Sequence, residues 1–337
     1  MEEKVFINGE MVPLSQALIP VDDRAVLFGD SVFETVRGYV GFPFRLWRHR
    51  ERLAESCRML RIEMPVSADA INTTIAELLE QNNLSRDEDA RIRITITGGS
   101  AAGPKGLERI GAAGIFITAR PYKPPSPEEY QRGVSLAVAG IKRNTSSPLS
   151  SIKSGNYLDS LFARQESLDR GNDDAVMVTT AGNLSEATSS NIFYVKDGVL
   201  FTPNVGCGFL PGVTRETVIE LTREQGIECS LVTEGPENLL SADEAFLTNS
   251  MFELMPVRRA GSHEMPSCPG PLTASLHTAY RDLVAREQQL GSDPNESKGP
   301  QDSCNFPAGR TASKEERPFR ISLPGFRPSP GKVRRRR

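Results

Sequence analysis

The chain has 337 residues, 38% of them hydrophobic and 25% charged, so it can bury a sizeable core and is long enough for two domains. Its formal net charge of −3 gives no overall attraction to nucleic acid or membrane, and its apolar runs are too short to span a bilayer. The five cysteines form no CxxC pair, the three histidines suggest no metal site, and the N-terminus shows no signal peptide. These features predict a cytoplasmic protein with no metal, no membrane contact and no nucleic-acid partner.

The first half predicts a sheet with two helices. Asn8-Gly9 favours a tight hairpin turn between short apolar strands. A strand is predicted at 31–37, helices at 48–62 and 71–79, and a strand at 91–97. In that last strand the isoleucines alternate with Arg93 and the threonines, so one face is apolar and the other polar.

The second half predicts strands and helices in alternation. Strands are expected at 134–139, 176–179, 191–195, 199–202 and 245–248, and helices at 156–169, 214–224 and 277–288. In the helix 156–169 the residues spaced to face a core are Leu158, Leu161, Phe162, Gln165 and Leu168.

Composition suggests the domain boundaries. The proline-rich stretch 120–127 is typical of a linker, so we predict an N-terminal domain over 1–119, a linker over 120–133 and a C-terminal domain over 134–290. From 291 to 337 hydrophobic periodicity is lost and the chain ends in four arginines, which predicts a disordered basic tail.

Lys153 lies in Ser-Ser-Ile-Lys-Ser-Gly-Asn-Tyr (150–157), directly before the predicted helix 156–169. The positive end of a helix dipole lowers the pKa of a lysine amine, and a nearby cation or desolvation acts in the same direction. Such an amine can form a Schiff base with an aldehyde. A lone lysine is far more often a surface residue, so this interpretation depends on the residues that follow it.

Glu186 lies in the sequence Leu-Ser-Glu-Ala-Thr-Ser-Ser-Asn-Ile-Phe (184–193). A carboxylate that faces a pyridine nitrogen keeps that nitrogen protonated, and the ring then withdraws electrons from a carbanion at Cα. The alternative is a glutamate that caps a helix or lies in a loop beside Ser185.

The third part is a site for a phosphate group. Val213 and Thr214 open a predicted helix whose free N–H groups and dipole attract a dianion, and Gly212 lets the backbone approach closely. Arg52 could close this site through a bidentate guanidinium contact. An ordinary helix start and a solvated arginine are the alternatives. Lysine, carboxylate and anion site together are what is needed to hold pyridoxal phosphate.

The chain resembles the class IV aminotransferase family, the pyridoxal-phosphate enzymes of fold type IV, over residues 4–287. The motifs that carry the resemblance are Phe28-Gly-Asp-Ser-Val-Phe-Glu-Thr, His49-Arg-Glu-Arg-Leu, Ile152-Lys-Ser, Ser185-Glu186 to Asn191, Pro211-Gly-Val-Thr, and Thr248-Asn-Ser with Met255-Pro-Val. The resemblance implies an α/β (α+β) fold of two domains, a smaller N-terminal α/β domain and a larger C-terminal domain with a mainly β core. It also implies a homodimer whose active site lies between the domains and near the partner subunit.

By the same resemblance Lys153 is the Schiff-base lysine and Glu186 the partner of the pyridine nitrogen. The residues implied to bind the phosphate are Arg52, Val213, Thr214 and Ser250. Tyr157 matches the tyrosine that hydrogen-bonds the ring oxygen of the cofactor.

Several positions bear on the choice among family members. Gly98 stands where D-amino acid aminotransferases carry an arginine that clamps a carboxylate. Branched-chain aminotransferases typically have a glycine at the position of Thr35 and a tyrosine at the position of Phe28. Aminodeoxychorismate lyases have a threonine at the position of Thr35, linked to proton relay, and some share the pattern of Leu247 to Ser250. The lyase interpretation is favoured.

The sequence therefore predicts a 4-amino-4-deoxychorismate lyase that releases pyruvate and 4-aminobenzoate for folate synthesis, with Lys153 and Thr35 as catalytic residues. Arg93, Phe28 and Met251 are the predicted substrate contacts, although for Arg93 by itself an exposed strand arginine is the favoured alternative. The alternative enzyme is a branched-chain-type amino-acid transaminase that uses 2-oxoglutarate. A catalytically silent relative with a binding tail is the alternative outside enzymes, and the retained lysine, glutamate and phosphate site argue against it.

Overall fold

The computed structural model describes residues 2–85, 87–103 and 105–291. Its strands are β1 (Lys4–Ile7), β2 (Glu10–Pro13), β3 (Ser31–Tyr39), β4 (Phe42–Pro43), β5 (Ala90–Thr97), β6 (Ser100–Ala102), β7 (Glu108–Ile110), β8 (Gly114–Pro121), β9 (Val134–Arg143), β10 (Asp174–Thr179), β11 (Leu184–Ala187), β12 (Asn191–Lys196), β13 (Val199–Pro203), β14 (Cys229–Val232), β15 (Glu244–Asn249), β16 (Glu253–Ala260) and β17 (His263–Glu264). Its α-helices are α1 (Arg24–Phe28), α2 (Leu46–Leu60), α3 (Ala68–Gln81), α4 (Pro127–Arg132), α5 (Leu158–Asp169), α6 (Val213–Glu224) and α7 (Pro271–Leu290).

The first sheet has the strand order β2-β1-β8-β5-β3-β4, and every neighbouring pair in it is antiparallel. Helices α2 and α3 cover one of its faces. The isoleucines of β5 are fully buried on that face and pack in one cluster with Ile75 and Leu78 of α3. The predicted alternation along β5 is confirmed, so the residues between the isoleucines, among them Arg93, point to the opposite face.

The second sheet follows the order β11-β10-β9-β16-β15-β12-β13-β14, with β17 paired to β16. It is mixed: β9 runs parallel to β10 and β16, β13 runs parallel to β14, and the other neighbours are antiparallel. Helices α6 and α7 cover one face, where Phe193 and Phe246 stack with ring centroids 5.0 Å apart. Strand β11 belongs to this sheet and α6 packs against it, and both elements carry predicted site residues.

The prediction for the apolar face of α5 was wrong. Leu158, Leu161, Phe162 and Leu168 are exposed, with Leu158 reaching 78%, while the buried residues of the helix are the small Ser160, Ala163 and Ser167. Ala163 packs with the alanines of β9 and β10. Helical spacing identified an apolar stripe correctly, but the side that packs against this chain's own sheet is the small-residue side.

Some elements were missed. Helices α1 and α4 have five and six residues, too few for periodicity to show. Strand β16 contains Pro256, which weakens a strand prediction because proline donates no ladder hydrogen bond. Helix α7 begins at Pro271, six residues before the predicted start, with that proline in the first turn where it is tolerated.

The predicted α/β class is confirmed, since helices and strands both contribute heavily to the fold. The first sheet draws on residues 4–121 and the second on residues 134–264, and the domain limits themselves stay a prediction. The predicted disordered tail, apart from Gly291, lies outside the described residues. Within those residues no helix combines the length and apolar character needed to cross a membrane.

Candidate active site

A cavity of about 590 Å³ opens between the two sheets. The predicted site residues that line it are Thr35, Arg52, Arg93, Lys153, Tyr157, Glu186, Val213, Thr214, Ser250 and Met251. They come from β3, α2, β5, the segment before α5, β11, the start of α6 and the turn after β15, so the fold brings together residues that are far apart in sequence. Phe28 is the exception, because its ring lies on α1 outside the cavity and is 42% exposed.

Backbone pairing with β3 fixes the position of Lys153. The Phe33 N–H donates to the Lys153 carbonyl at 2.9 Å, and the Gly155 N–H donates to the Ser31 carbonyl at 2.8 Å. A Cβ on Gly155 would lie 2.3 Å from Ser31 Oγ, so this close approach requires glycine. The Lys153 Nζ consequently lies 4.8 Å from the centroid of the Phe33 ring, inside the cavity.

The Lys153 amine loses its proton easily. Its pKa falls from 10.5 to about 8, first because burial disfavours the charged form and next because the Arg52 guanidinium repels it. The carboxylates of Glu34 and Glu186 oppose both effects. Helix α5 starts only at Leu158, five residues later, so of the three predicted causes burial and a neighbouring cation account for the lowered pKa, rather than the helix dipole.

Glu186 lies on β11 in the cavity wall and is only 7% exposed. Its Oε1 lies 2.8 Å from Nη2 of Arg143, and its Oε2 accepts the Leu210 N–H at 3.1 Å. Burial nevertheless raises the pKa of Glu186, with Arg143 as the largest opposing influence. The carboxylate is therefore held in place by an ion pair and still has a real affinity for a proton.

Arg143 was not predicted as a site residue. It ends β9, and its guanidinium also donates to the carbonyls of Gly208 and Ser150 at 2.7 and 2.8 Å. These two bonds fix the guanidinium independently of Glu186. Nothing in the sequence around Arg143 marks it, because its partners come from three separate segments.

A further part of the cavity wall is the start of α6, which lies beside Asn191 and has no side-chain cap. Its N-cap is Gly212, which offers no side chain to satisfy the first N–H groups of the helix, those of Val213 and Thr214. A Cβ on Gly212 would lie 2.0 Å from Oδ1 of Asn191, so only glycine fits there. The helix start is thereby open to an anion.

Arg52 reaches this part of the wall from α2 in a paired state. It donates to Oε1 and Oε2 of Glu34, at 2.7 Å each, and to the Pro211 carbonyl at 2.5 Å. Glu34 is fully buried and also meets Nδ1 of His49 at 2.7 Å. Burial opposes ionisation of Glu34, but Arg52 and His49 outweigh it and hold its pKa at about 2. Glu34 and His49 lie within two of the motifs in the sequence, yet neither was singled out as a site residue.

The floor of the cavity is formed by the polar face of the first sheet. Thr35 on β3 is directly opposite Arg93 on β5, and Arg91 lines the same cavity. The Arg93 guanidinium carbon lies 3.7 Å from the Phe33 ring centroid, and burial lowers its pKa. Tyr157 meets the same ring edge-on at 5.9 Å. This part of the cavity therefore offers cations, a hydroxyl and aromatic surface.

The sequence was compared with known proteins and families. The family model for class IV amino-transferases matches residues 31–260, which is more than half of the chain. The chain belongs to the class IV aminotransferase family. It is 35% identical, over 83% of its length and 96% of the relative, to a Methanocaldococcus jannaschii protein named provisionally as a branched-chain-amino-acid aminotransferase. It is 32% identical to the aminodeoxychorismate lyase of Bacillus subtilis, over 83% of this chain and 94% of the relative.

Solved structures agree with this membership. The branched-chain amino acid aminotransferase of Escherichia coli superposes with a TM-score of 0.76 at 30% identity, over 84% of this chain and 94% of that chain. The predicted fold type IV architecture is thereby confirmed, and class IV aminotransferases use pyridoxal phosphate as their cofactor.

The residues of this chain fit that cofactor. Two buried hydroxyls of the cavity wall, Ser190 Oγ and Thr248 Oγ1, have no hydrogen-bond partner among the described residues, so the wall has capacity for a polar ligand. The Lys153 amine, the Glu186 carboxylate and the open start of α6 supply groups for an aldehyde, a pyridine nitrogen and a phosphate. Class IV aminotransferases are enzymes, and this cavity offers the groups that their cofactor requires.

Proposed function

We propose that this pyridoxal-phosphate enzyme is a 4-amino-4-deoxychorismate lyase, which releases pyruvate and 4-aminobenzoate. The observation that supports this choice is the cavity floor, where Thr35 stands opposite Arg93 and Arg91 lies close by. Aminodeoxychorismate carries two carboxylates, and two guanidinium groups on one strand can each bind one of them. The Bacillus subtilis relative bears the name of this activity.

Pyridoxal phosphate supplies an aldehyde that condenses with amines and a ring that accepts electrons from the substrate Cα. Lys153 would hold it, and because the pKa of its amine is lowered to about 8, that amine would serve as the base that takes the proton from Cα. Glu186 retains the proton at the ring nitrogen, with Arg143 fixing its orientation. Thr35, which lines the cavity, would pass the proton held by the Lys153 amine to the departing pyruvate.

The remaining groups hold the ligand. Arg52, Ser250 and the N–H groups of Val213 and Thr214 bind the phosphate, and Tyr157 orients the ring oxygen. Arg93 and Met251 contact the substrate. Gly98 stands where D-amino acid aminotransferases carry an arginine, and a Cβ there would lie 2.5 Å from Asp30 Oδ2, so a larger residue would have to displace that carboxylate. A carboxylate clamp from that position is therefore absent.

The test is a product assay on the holoenzyme with aminodeoxychorismate. We expect 4-aminobenzoate and pyruvate in equal amounts, a large loss of both with Thr35→Ala, and partial recovery with Thr35→Ser, which keeps the hydroxyl. Formation of glutamate from L-leucine and 2-oxoglutarate, with no 4-aminobenzoate from aminodeoxychorismate, would reject the lyase assignment.

A branched-chain-type transaminase that uses 2-oxoglutarate is the second candidate. The aromatic and thioether surface of Phe33, Tyr157 and Met251 in the cavity suits an aliphatic side chain, and the Methanocaldococcus jannaschii relative bears that name. In this case Arg91 or Arg93 would bind the second carboxylate of 2-oxoglutarate. The assay with L-leucine distinguishes the two candidates directly.

We also infer that the enzyme works as a homodimer. The exposed apolar face of α5, with Leu158, Leu161 and Phe162, needs a cover, and a second copy of the chain would supply it. A dimer would further allow Phe28 to contact substrate in the partner's cavity. Light scattering is expected to show a dimer for the wild type and a shift to monomer for Phe162→Lys. A monomeric wild type would contradict the inference.

The cytoplasmic location expected from the sequence stays a prediction.

A further inference from the structure

His49 joins the buried Glu34 carboxylate to the phosphate end of the cavity. Its Nδ1 lies 2.7 Å from Glu34 Oε2, and its Nε2 lies 3.4 Å from Ser250 Oγ. The imidazole is fully buried, and Ser250 lines the cavity where the phosphate is proposed to bind. The ring therefore connects a permanent negative charge to a hydroxyl that faces the ligand.

The hydrogen-bond directions in this chain are determined by the carboxylate. Glu34 stays ionised at any pH near neutrality, so it can only accept, and His49 Nδ1 must carry a proton. In a neutral ring Nε2 is then an acceptor, and the Ser250 hydroxyl donates its single proton to it. Toward the cavity Ser250 consequently presents only lone pairs, which is the wrong polarity for a phosphate oxygen.

The charges around the ring favour this neutral state while no anion is bound. The charged groups that face it are Glu34 on β3, Arg52 on its own helix and Lys153 from the segment before α5, one negative and two positive. Burial is the largest influence and lowers the pKa of His49, with Glu34 opposing it. A phosphate dianion adds two negative charges and reverses the local balance.

We propose that His49 takes up a proton when the phosphate group binds beside Ser250, and that the imidazolium turns the Ser250 hydroxyl toward the phosphate. The proton comes from solvent and goes to Nε2, which then donates to Ser250 Oγ. The hydroxyl proton moves only by rotation about Cβ–Oγ, and no covalent bond is made or broken. His49 is thus a positioning residue that acts through Ser250.

The direct test is nitrogen NMR of the full chain labelled with ¹⁵N-histidine. Only His49, His263 and His277 contribute signals, so one variant each assigns them. Without ligand at pH 7.5 we expect a neutral His49 with the proton on Nδ1. In the holoenzyme, and in saturating sulfate, both nitrogens should be protonated, with a rise in the His49 pKa of about one unit or more. A ring that keeps one proton and an unchanged pKa in both would overturn the proposal.

A second test uses sulfate, a dianion that does not itself titrate near neutral pH. Between the pKa of His49 in the sulfate-free protein and its pKa in the sulfate complex, binding takes up a proton. The sulfate affinity of the wild type should therefore fall by up to about tenfold per pH unit as pH rises through this range. His49→Gln should keep only the weaker dependence due to Lys153. His277→Gln is the matched control, because His277 also bonds a buried glutamate, Glu253, at 2.7 Å but lies outside the cavity. Equal pH slopes for the wild type and His49→Gln would reject the linkage.

The coupling between His49 and Ser250 in sulfate binding shows whether His49 positions Ser250 or only supports the fold. If His49 acts through Ser250, the double variant His49→Gln/Ser250→Ala should bind sulfate about as weakly as the weaker of the two single variants. Additive losses would contradict this. The inference rests on the proposed phosphate site but not on the substrate, so a negative lyase or transaminase assay leaves these readouts unchanged. A poorly folded variant is detected by its unfolding curve, and the wild-type NMR experiment still decides.

Discussion

Two buried glutamates at this site behave in opposite ways: Glu186 lines the cavity, and Glu34 lies behind the lining residue Arg52. Glu34 is fully buried and yet its pKa is about 2, whereas burial raises the pKa of Glu186. Glu34 receives two hydrogen bonds from Arg52 and one from His49, while Glu186 has one ion pair with Arg143, one backbone N–H and the Asn191 amide at 3.5 Å. The bidentate guanidinium of Arg52 together with the His49 N–H keeps Glu34 an anion, whereas the donors around Glu186 do not outweigh its burial and leave it an affinity for a proton.

The difference matches two tasks. The phosphate end needs cations that stay oriented, and the permanently charged Glu34 holds Arg52 in position. The ring end needs a carboxylate that shares a proton with a nitrogen, and a raised pKa serves that purpose. Four expected outcomes test or sharpen this contrast, beginning with the largest effect.

Lys153 faces both carboxylates, and its removal should eliminate catalysis altogether. Lys153→Ala is expected to lower turnover by about 10⁴-fold or more, because it removes both the cofactor-binding amine and the base. Lys142→Ala, an exposed lysine on β9, is the control and should retain full turnover. Borohydride reduction of the holoenzyme followed by peptide mass spectrometry should label Lys153, and a label elsewhere would refute the assignment.

Glu34→Gln should be strongly destabilising. The change leaves the buried Arg52 charge without its partner, which costs about 3–5 kcal/mol of unfolding free energy. In the wild type the depressed pKa stabilises the fold above about pH 4.5, and this contribution, about 3 kcal/mol, is lost as pH falls toward 2. Urea unfolding between pH 2 and 7 measures both, and an acid profile identical in the wild type and the variant would contradict the account.

Glu186→Gln should have the reverse effect, with little change in the free energy of unfolding and a large loss of turnover. A raised pKa means that the charged form is disfavoured in the fold at neutral pH, and Arg143 keeps its bonds to Gly208 and Ser150 in the variant. We therefore expect the cofactor-free protein to change by less than about 1 kcal/mol, while turnover falls by about 10²-fold because the ring nitrogen loses its proton partner. A stability loss as large as that of Glu34→Gln would remove the contrast between the two glutamates.

The smallest effect concerns the pH dependence of cofactor attachment. Only the neutral Lys153 amine reacts with the aldehyde, so the attachment rate to the cofactor-free protein should rise by up to about tenfold per pH unit below 8 and level off above it. Stopped-flow absorbance on addition of pyridoxal phosphate measures this rate. A plateau that is reached only near pH 10.5 would show that burial and Arg52 do not lower the pKa.

Local patterns were sufficient for the strands and helices whose faces are decided by nearest neighbours. The alternation in β5 predicted which isoleucines are buried, because successive side chains of a strand point to opposite faces. The start of α6 was likewise predictable from Pro211-Gly212, and its first residues, Val213 and Thr214, do line the cavity. In both cases the determining interactions lie within a few residues.

Local patterns failed where the partner lies far away. The stripe on α5 predicted a buried face, yet whether a stripe is covered depends on what lies opposite it, and in this chain the sheet meets Ala163 instead. Arg143 could not be found because its partners lie in separate segments, and Phe28, which does not line this chain's own cavity, stays a prediction that depends on a second copy of the chain.

The sequence by itself determined the family and the cofactor, since the chemistry requires particular residues at particular spacings along the chain, and the role of Lys153 as the reactive lysine stays a prediction. Only the tertiary structure decided the protonation behaviour of the site. A pKa depends on which charges and donors lie within a few ångströms after folding, and around Glu34 and Glu186 they come from well-separated segments of the chain.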